Sequence, residues 1–275
     1  MAERGYQVIG VDLGGTNLRA GLIRNNKILK FIKIRTPKEK SNLLKAICYV
    51  IKEVWGDNIN GIGIGTPGPL KNGVIINPPN IDLKNFDLKN FIRKRFNIRT
   101  EVENDAKCVA LAELILGVKK KNFFVLTLGT GIGGGVVIDG KLYNKNDLGA
   151  ELGNIYLDEG KKFEDLVGSK AIKIITREKF RREVNFIELV NMKDKKAVEI
   201  INYLTENLAK GIGSLINVFN PEIVVLAGGM RKAGEGFLNI IRKKAKKYIF
   251  LPAKYEIVWS KLEEPGLLGA GLLID

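Results

Sequence analysis

Two glycine-rich segments constrain the fold of this chain more than any other feature of its sequence. The first, Asp12-Leu13-Gly14-Gly15-Thr16-Asn17-Leu18-Arg19, lies between the apolar runs Val8–Val11 and Leu22-Ile23. Because both flanks have the composition of strands, the segment is predicted to form the turn of a hairpin. Glycines in such a turn let backbone N–H groups approach a phosphate, because no Cβ stands in the way. An ordinary hairpin with an aspartate near its turn would have the same local sequence.

The second segment, Leu126–Leu142, repeats this pattern. Gly129-Thr130 stands 129 − 15 = 114 residues after Gly15-Thr16, and Gly135 and Lys141 follow Gly21 and Lys27 at the same offset. A constant offset indicates a duplicated unit, so two similar halves are predicted to grip one nucleoside triphosphate in the cleft between them. The glycines of this segment also resemble a dinucleotide-binding fingerprint. That fingerprint needs a following helix, whereas an apolar run and an Asp-Gly turn follow here and favour a hairpin.

Together these segments resemble the two phosphate motifs of the ROK family of sugar kinases, which have the actin-like and hexokinase-like ATPase fold. The resemblance extends from about Val8 to Leu272. It implies an α/β fold with two actin-like, ribonuclease H-like domains, whose mixed sheets are flanked by helices and separated by a cleft. The predicted domains are residues 1–115, completed by a C-terminal helix at 264–275, and residues 116–263.

The resemblance implies that both motifs bind the phosphates of ATP. The predicted nucleotide-binding residues in these motifs are Asp12, Gly14, Gly15, Thr16, Asn17, Arg19, Gly129, Thr130, Gly131 and Gly133. Asp12 is predicted to hold Mg²⁺, directly or through water, because a carboxylate beside a phosphate needs a cation between them. Gly228-Gly229, which follow a buried strand, match the family's adenosine turn. A tight turn at such a point is found in nearly every α/β unit.

The pair Asn104-Asp105 stands between a predicted strand and a predicted helix. From the local sequence alone, either residue is a good N-cap, because its side chain can accept hydrogen bonds from free N–H groups. In the ROK family the Asp of this pair is the catalytic base, so the resemblance implies that role for Asp105 and a sugar contact for Asn104. An ionised Asp can orient a sugar hydroxyl and accept its proton during phosphoryl transfer.

The resemblance also implies further sugar-binding residues, namely Gly65, Asn80, Gly135, Glu151, Asn154 and Glu164. Asn80 could instead belong to a proline-rich surface turn, and Glu164 could be a surface charge that opens a helix. Asn154 replaces a histidine that in the family contacts the sugar and ligates zinc. The three cysteine ligands usually found downstream are also missing, so no zinc is expected. Ala150 stands directly before Glu151, where the family has glycine.

The composition of the chain limits which residues can act as a general base and which partners are expected. The chain contains no histidine, so the general base must be Asp or Glu or, less often, Lys, Tyr or Cys. Its formal net charge is +15, but the lysines are scattered without a nucleic-acid-binding motif, which indicates solvated faces rather than a nucleic-acid partner. Cys48 and Cys108 are too few for a disulfide framework. The sequence shows neither a membrane-length apolar run nor an apolar signal-peptide core, so no membrane association and a cytoplasmic location are expected.

The remaining sequence predicts alternating strands and helices. Strands are predicted at 6–11, 18–24, 27–35, 59–64, 123–128, 223–226 and 255–259, and helices at 43–55, 85–96, 106–116, 170–180, 184–189, 195–219, 237–249 and 266–273. Ser41 is the predicted N-cap of the first helix. Asn220-Pro221 is predicted to end the long amphipathic helix, because a residue before proline disfavours the helical conformation.

The predicted function is transfer of the γ-phosphate of ATP to a hexose hydroxyl, expected at the 6-position of a glucose-like sugar, as in glycolysis. An N-acetylhexosamine kinase for N-acetylglucosamine or N-acetylmannosamine is an alternative. A second alternative is a non-catalytic sugar-binding protein or a ROK-type transcription regulator. Such regulators carry an N-terminal helix-turn-helix module, for which a first strand at Tyr6 leaves no room. The expected partners are the sugar and ATP, with a homodimer implied by the resemblance.

Overall fold

The structure is a computed structural model that describes residues 6–144, 147–252 and 254–274. Residues Met1–Gly5, which belong to the N-terminal stretch without a predicted signal-peptide core, lie outside the described residues. The chain forms two compact units: Met1–Lys119 with Leu142–Ala150 and Leu262–Asp275, and Lys120–Lys141 with Glu151–Lys261. Residues 142–150 pack in the first unit, whereas the predicted domain limits placed them in the second. Within the described ranges, no helix combines the length and apolar character needed to cross a lipid bilayer.

The strands and helices alternate along both units. The strands are β1 (Gln7–Leu13), β2 (Asn17–Arg24), β3 (Lys27–Arg35), β4 (Ile59–Thr66), β5 (Leu70–Lys71), β6 (Val74–Ile75), β7 (Phe86–Asp87), β8 (Thr100–Asn104), β9 (Phe123–Leu128), β10 (Ile132–Ile138), β11 (Lys141–Leu142), β12 (Tyr156–Asp158), β13 (Lys161–Lys162), β14 (Ile223–Gly228) and β15 (Glu256–Trp259). The helices are α1 (Lys40–Glu53), α2 (Leu88–Phe96), α3 (Asp105–Ile115), α4 (Phe163–Val167), α5 (Ser169–Phe180), α6 (Phe186–Asn191), α7 (Lys195–Phe219), α8 (Gly234–Ala245) and α9 (Pro265–Gly271).

The first unit is built on a sheet with the strand order β3-β2-β1-β4-β8. Strands β1, β2 and β3 pair antiparallel, whereas β1–β4 and β4–β8 pair parallel. Alternate residues of β1 enter two different apolar clusters. Ile9 and Val11 pack with α1 and α2, whereas Val8 packs with residues of α3 and α9. The sheet is therefore covered by helices on both faces, as the alternation of side chains along a strand allows.

The second unit repeats this arrangement. Its sheet has the order β11-β10-β9-β14-β15, in which β9 and β10 pair antiparallel and β9–β14 and β14–β15 pair parallel. The turns after β2 and β10 also match, because Asn25 and Asn26 have φ of 49° and 61°, and Asp139 and Gly140 have φ of 51° and 74°. Two consecutive positive φ values are typical of the type I′ hairpin turn. The shared strand order agrees with the internal repeat in the sequence.

Several predicted helix limits are corrected by capping interactions. Ser41 is not the N-cap of α1: Glu39 occupies that position, and the Ser41 hydroxyl donates to Glu39 Oε1 at 2.7 Å. Helix α2 begins at Leu88 rather than at residue 85, because the Asp87 side chain accepts from Asn90 N.

Two later helices also begin at residues other than the predicted ones. The Asn185 side chain accepts from Glu188 N, so α6 begins at Phe186 rather than at residue 184. Helix α8 begins earlier than predicted, at Gly234, and ends at Ala245, where the chain tightens into a 3₁₀ turn at Lys246–Tyr248.

Candidate active site

Three predicted site segments meet at one edge of the first sheet. In the parallel register, Asp12 of β1 lies beside Gly65 of β4, and Gly65 lies beside Glu103 of β8. The segments that leave the carboxyl ends of these strands are therefore neighbours. Ligands of open α/β sheets bind at such an edge. The register thus places the first glycine-rich turn, the Gly65 loop and the pair Asn104-Asp105 on one edge of the unit.

Asn104 is the N-cap of α3. Its Oδ1 accepts from Ala106 N at 3.0 Å and Lys107 N at 3.1 Å, and its Nδ2 lies 3.4 Å from the Gly68 carbonyl oxygen as a donor. Asp105 is the first residue of the helix, and its Oδ1 accepts from Ala106 N at 2.8 Å. A carboxylate in the first turn interacts favourably with the helix dipole. The start of α3 is therefore a fixed platform for Asp105.

Gly65 and Cys108 enclose the base of this platform. A Cβ at Gly65 would lie 3.3 Å from Cys108 Sγ and 3.4 Å from Asp105 Cα, so the Gly65 backbone packs closely against α3. Burial raises the pKa of the Cys108 thiol well above its ordinary value, and the nearby carboxylates of Glu103, Asp105 and Asp12 raise it further. A thiol with such a pKa stays protonated at neutral pH. Cys108 is therefore a poor candidate for the base.

The first glycine-rich turn is held from the end of β3. Thr36 Oγ1 donates to the Gly14 carbonyl oxygen at 2.6 Å, and Lys38 Nζ donates to the Gly15 carbonyl oxygen at 2.8 Å. Lys38 Nζ also reaches the carbonyl oxygen of Asn80 at 3.4 Å. Asn80 packs on the turn, since a Cβ at Gly15 would lie 2.9 Å from Asn80 Cβ. Local sequence could not identify Thr36 and Lys38, because these contacts depend on the pairing of β3 with β2.

Asp12 forms an ion pair beside this turn. Arg19 NH1 donates to Asp12 Oδ2 at 2.6 Å, and Arg19 Nε lies 3.1 Å from Glu264 Oε2. Burial raises the pKa of Asp12, although Arg19 opposes the shift. No group of three or more His, Cys, Asp or Glu that could hold a metal was found among the described residues. Mg²⁺ is commonly bound by one or two carboxylates together with substrate phosphates and water, so a single Asp12 carboxylate fits such a site.

The second glycine-rich turn, Gly129–Gly131, has different supports. Ser169 Oγ donates to the Gly129 carbonyl oxygen at 2.7 Å, and Glu164 Oε2 accepts from Ile132 N at 3.4 Å. The Glu164 carboxylate packs so closely on Gly131 that a Cβ there would clash with it. Glu164 thus contacts a predicted nucleotide-binding turn of its own unit. No local sequence pattern identifies Ser169 as a partner of this turn, because it lies 40 residues after Gly129 in the chain.

Gly228 and Gly229 lie next to this turn within the second unit. Gly228 is paired with Leu128, the last residue of β9, and has φ of 96°, a conformation that favours glycine. A Cβ at Gly229 would meet no heavy atom within 4 Å, so the backbone there is open to a ligand. Gly133 and Gly135 are instead inside β10, opposite Thr127 and Val125, and Gly135 is buried. Their ligand contacts stay predictions.

Glu151 and Asn154 also lie together in the second unit. Asn154 Nδ2 donates to Glu151 Oε2 at 3.2 Å, and Lys162 Nζ donates to Asn154 Oδ1 at 2.9 Å. Lys162 belongs to the small hairpin of β12 and β13, which turns at Gly160 with φ of 65°. The asparagine that replaces the family histidine therefore links Glu151 to this hairpin.

Comparison with known proteins identifies the family of this chain. A glucokinase from Thermotoga maritima is 33% identical, over 98% of this chain and 97% of its own. A ROK family glucokinase from Streptomyces griseus, solved with glucose and AMPPNP, is 25% identical with a TM-score of 0.88 over 97% of this chain and 98% of its own. A ROK hexokinase from Thermus thermophilus is 31% identical with a TM-score of 0.82 over 97% of both chains.

Regulators are also among the relatives. A xylose repressor from Caldicellulosiruptor bescii is 25% identical over 94% of this chain and 75% of its own. The family model described as ROK family matches residues 8–275. With the two-sheet architecture, the actin-like fold and the paired glycine-rich turns, this match means that the chain belongs to the ROK family.

Proposed function

We propose that this protein transfers the γ-phosphate of ATP to a hydroxyl of a hexose, with Asp105 as the general base. That the chain is an ATP-dependent sugar kinase rests on its similarity to proteins named glucokinase and hexokinase. The observation that carries the finer proposal is the place of Asp105. It begins α3 at the edge of the first sheet, where Asp12, Gly65 and Glu103 lie side by side.

The nucleotide is assigned to the backbone of the glycine-rich turns. The turns at residues 14–17 and 129–131 offer N–H groups to the phosphates, and the open backbone at Gly228-Gly229 receives the adenosine. Asp12 would hold Mg²⁺, which neutralises phosphate charge when bound. Arg19 then has Glu264 as a second carboxylate partner, 3.1 Å from its Nε.

The sugar is assigned to polar groups of both units. In the first unit these are Asn104, Asp105, Asn80 and the Gly65 backbone; in the second they are Glu151, Asn154, Glu164 and Gly135. Asn104 can use only its Nδ2 group for the sugar, because its Oδ1 already accepts two backbone N–H groups of α3. A hydroxyl acceptor near Nδ2 is therefore the contact that we assign to Asn104.

The proton follows the phosphoryl group. The sugar hydroxyl oxygen forms a bond to the γ-phosphorus as the bond to the β,γ-bridging oxygen breaks, and ADP leaves. The hydroxyl proton passes to the Asp105 carboxylate late in this step, and from there to solvent. Asp105 must lie within about 2.6–3.2 Å of the hydroxyl for this transfer. The N-cap at Asn104 holds the backbone of Asp105 in place for it.

A glucose-like hexose is the first substrate that we propose, phosphorylated at the 6-position. The names of the relatives favour glucose, whereas the loss of the family histidine at Asn154 leaves an N-acetylhexosamine as the alternative. A regulatory role is the second candidate, since a similar repressor exists. A homodimer is proposed from the family resemblance, and sedimentation velocity would test it.

The test is ADP release from ATP and Mg²⁺ with glucose, mannose, fructose, N-acetylglucosamine and N-acetylmannosamine. We expect turnover with one of them, and a decrease of about 10²- to 10⁴-fold in Asp105→Asn with retained nucleotide binding. Asp57→Asn, an exposed carboxylate outside the site, is the matched control and should keep full turnover. Near-normal turnover of Asp105→Asn would exclude Asp105 as the base. Sugar binding without turnover for every sugar would favour the regulator.

A further inference from the structure

A buried charged cluster lies beneath the start of α3. Lys107 is 2% exposed and Glu103 is 8% exposed. Lys107 Nζ donates to Asn144 Oδ1 at 2.8 Å and to the Asp147 carbonyl oxygen at 3.1 Å, and lies 3.7 Å from Glu103 Oε1. Burying an ammonium group is costly unless it is paired and hydrogen-bonded. The Lys107 ammonium therefore needs Asn144 and Asp147, which lie 37 and 40 residues further along the chain.

Glu103 extends this cluster to the backbone of the proposed site. Its Oε1 accepts from Asn104 N at 2.8 Å, and its Oε2 accepts from Asn144 Nδ2 at 2.6 Å. Asn144 thus contacts Lys107 with its oxygen and Glu103 with its nitrogen. The backbone N–H of Asn104, the residue before Asp105, is therefore connected to Asn144 through two hydrogen bonds to the Glu103 carboxylate.

Asp147 attaches the chain before Glu151 to the first unit at a second point. Asn72 N donates to Asp147 Oδ2 at 2.6 Å, which also joins this segment to the first unit. The segment ends with Gly149 and Ala150 at φ of 99° and 60°, directly before Glu151. An alanine in the left-handed region is strained and persists only where its surroundings impose that conformation. Tyr143 of the same segment packs on Gly149, since a Cβ there would lie 2.8 Å from an atom of the Tyr143 ring.

We propose that Lys107, Glu103 and Asn144 are positioning residues for sugar phosphorylation. They hold the segment that leads into Glu151 against the start of α3, where Asp105 lies, so that the chain leaves the first unit at a fixed point before a sugar-binding carboxylate. A purely structural ion pair would stabilise the first unit without affecting the sugar. The expected effect on the KM for the sugar rests on the proposed function, whereas the expected effect on local opening of the chain does not.

The test compares Asn144→Ala with Leu148→Ala in the full-length protein. Both side chains are exposed on the same segment, but no polar contact is expected from Leu148. Asn144→Ala removes the shared partner of Lys107 and Glu103, and its exposed position favours a folded variant. We expect the KM for the sugar to rise by about 10- to 100-fold, because a misplaced Glu151 would lose contacts with the sugar. The KM for ATP should stay within a factor of two, because Glu151 is not proposed to contact ATP. Leu148→Ala should match the wild type in both constants.

Amide hydrogen exchange supplies a readout that needs no activity. In Asn144→Ala the peptides covering residues 101–107 and 142–150 should exchange about tenfold faster, because a local opening costs less free energy. The same peptides should be unchanged in Leu148→Ala. Equal exchange in both variants would overturn the proposal, as would a KM for the sugar that stays at the wild-type value. A wild type inactive on every sugar would refute the proposed function instead, and the exchange experiment would still decide whether the attachment exists.

Discussion

The two glycine-rich hairpins share a strand order but differ at their turns. The pair nearest the first turn is Leu13–Leu18, which leaves four residues in the turn, and the pair nearest the second is Leu128–Ile132, which leaves three. The next pair is Asp12–Arg19 in the first hairpin and Thr127–Gly133 in the second. A charged pair in one repeat therefore corresponds to a neutral pair in the other. The two hairpins therefore have the same strand arrangement but a different distribution of charge beside their turns.

The side chains that hold the two turns also differ in charge. A threonine hydroxyl and a lysine ammonium hold the first turn, whereas a serine hydroxyl and a carboxylate contact the second. The Lys38 ammonium at the first turn attracts an anion, and the Asp12 carboxylate beside that turn needs a cation between itself and a phosphate. The Glu164 carboxylate at the second turn repels an anion. Under the proposed function, both turns offer backbone N–H groups to the phosphates, and the first turn adds the charges of Lys38 and of the cation held by Asp12.

The largest expected difference concerns the charged and neutral pairs. Asp12→Asn should lower turnover by about 100- to 1,000-fold at saturating substrates, because it removes the carboxylate proposed to hold the cation at the phosphates. Thr127→Val should change turnover less than threefold. Steady-state ADP release with titrated Mg²⁺ measures both. A similar loss in the two variants would contradict the assignment of charge to the first hairpin alone.

The supports of the turns should differ less, and in the KM for ATP. Lys38→Met removes a cation from the first turn and should raise the KM about tenfold, since charged hydrogen bonds contribute more than neutral ones. Ser169→Ala loses one neutral hydrogen bond and should raise it about threefold. Lys45→Met, an exposed lysine of α1, is the control for charge alone. If Lys45→Met matches Lys38→Met, the effect belongs to net charge rather than to the turn.

The strand ends of the first unit should also make stability depend on pH. Burial raises the pKa of Glu103, against the lowering effects of Asn104 N and Lys107; Asp147 raises it further and Asn144 lowers it. Because the folded-state pKa is the higher one, the contribution of this carboxyl to stability is complete below the unfolded value and is lost as pH rises. Wild type should therefore lose stability relative to Glu103→Gln as pH rises above 4.5, by at most about 1.4 kcal/mol per pH unit.

Urea unfolding of both proteins between pH 4 and pH 8 measures this difference. The difference should become constant once the pH exceeds the raised pKa. A free-energy difference that instead grows in favour of the wild type with pH would show that Lys107 stabilises the ionised carboxylate more than burial destabilises it.

The smallest expected effect concerns backbone strain. Ala150 has φ of 60°, so Ala150→Gly should raise the free energy of unfolding by about 1 kcal/mol, or the melting temperature by about 2–4 °C. Ala46→Gly inside α1 is the matched substitution with helical geometry and should lower stability by about 1 kcal/mol. A loss of stability in Ala150→Gly would mean that the left-handed conformation is not strained.

Sequence reasoning predicted those features that local patterns encode. The hairpins follow from glycines between apolar runs, and the N-cap at Asn104 follows from an amide side chain before a helix. Ser41 was the wrong cap because the helix begins directly after Glu39, two residues earlier, and the Ser41 hydroxyl donates to the Glu39 carboxylate. The fold class follows from the family resemblance and is confirmed by the structural neighbours.

The contacts that the sequence did not predict join segments that are far apart in the chain. Lys38 and Ser169 contact their turns through strand pairing and helix placement that no short window contains. The shorter second turn was also hidden, because a constant offset of 114 in the sequence implies equal turns. The buried lysine cluster joins residues far apart in the chain, so its pairing could be seen only in three dimensions.

The buried thiol of Cys108 gives the molecule a built-in reporter. Its side chain is 0% exposed and packs under Gly65 and Asp105, whereas Cys48 is half-buried on α1. A protonated, enclosed thiol reacts with alkylating reagents only when the surrounding helix opens. The labelling rate of Cys108 in a Cys48→Ser background would therefore report how often the start of α3 opens locally. A lower labelling rate with bound sugar would measure how much the sugar stabilises this helix against opening.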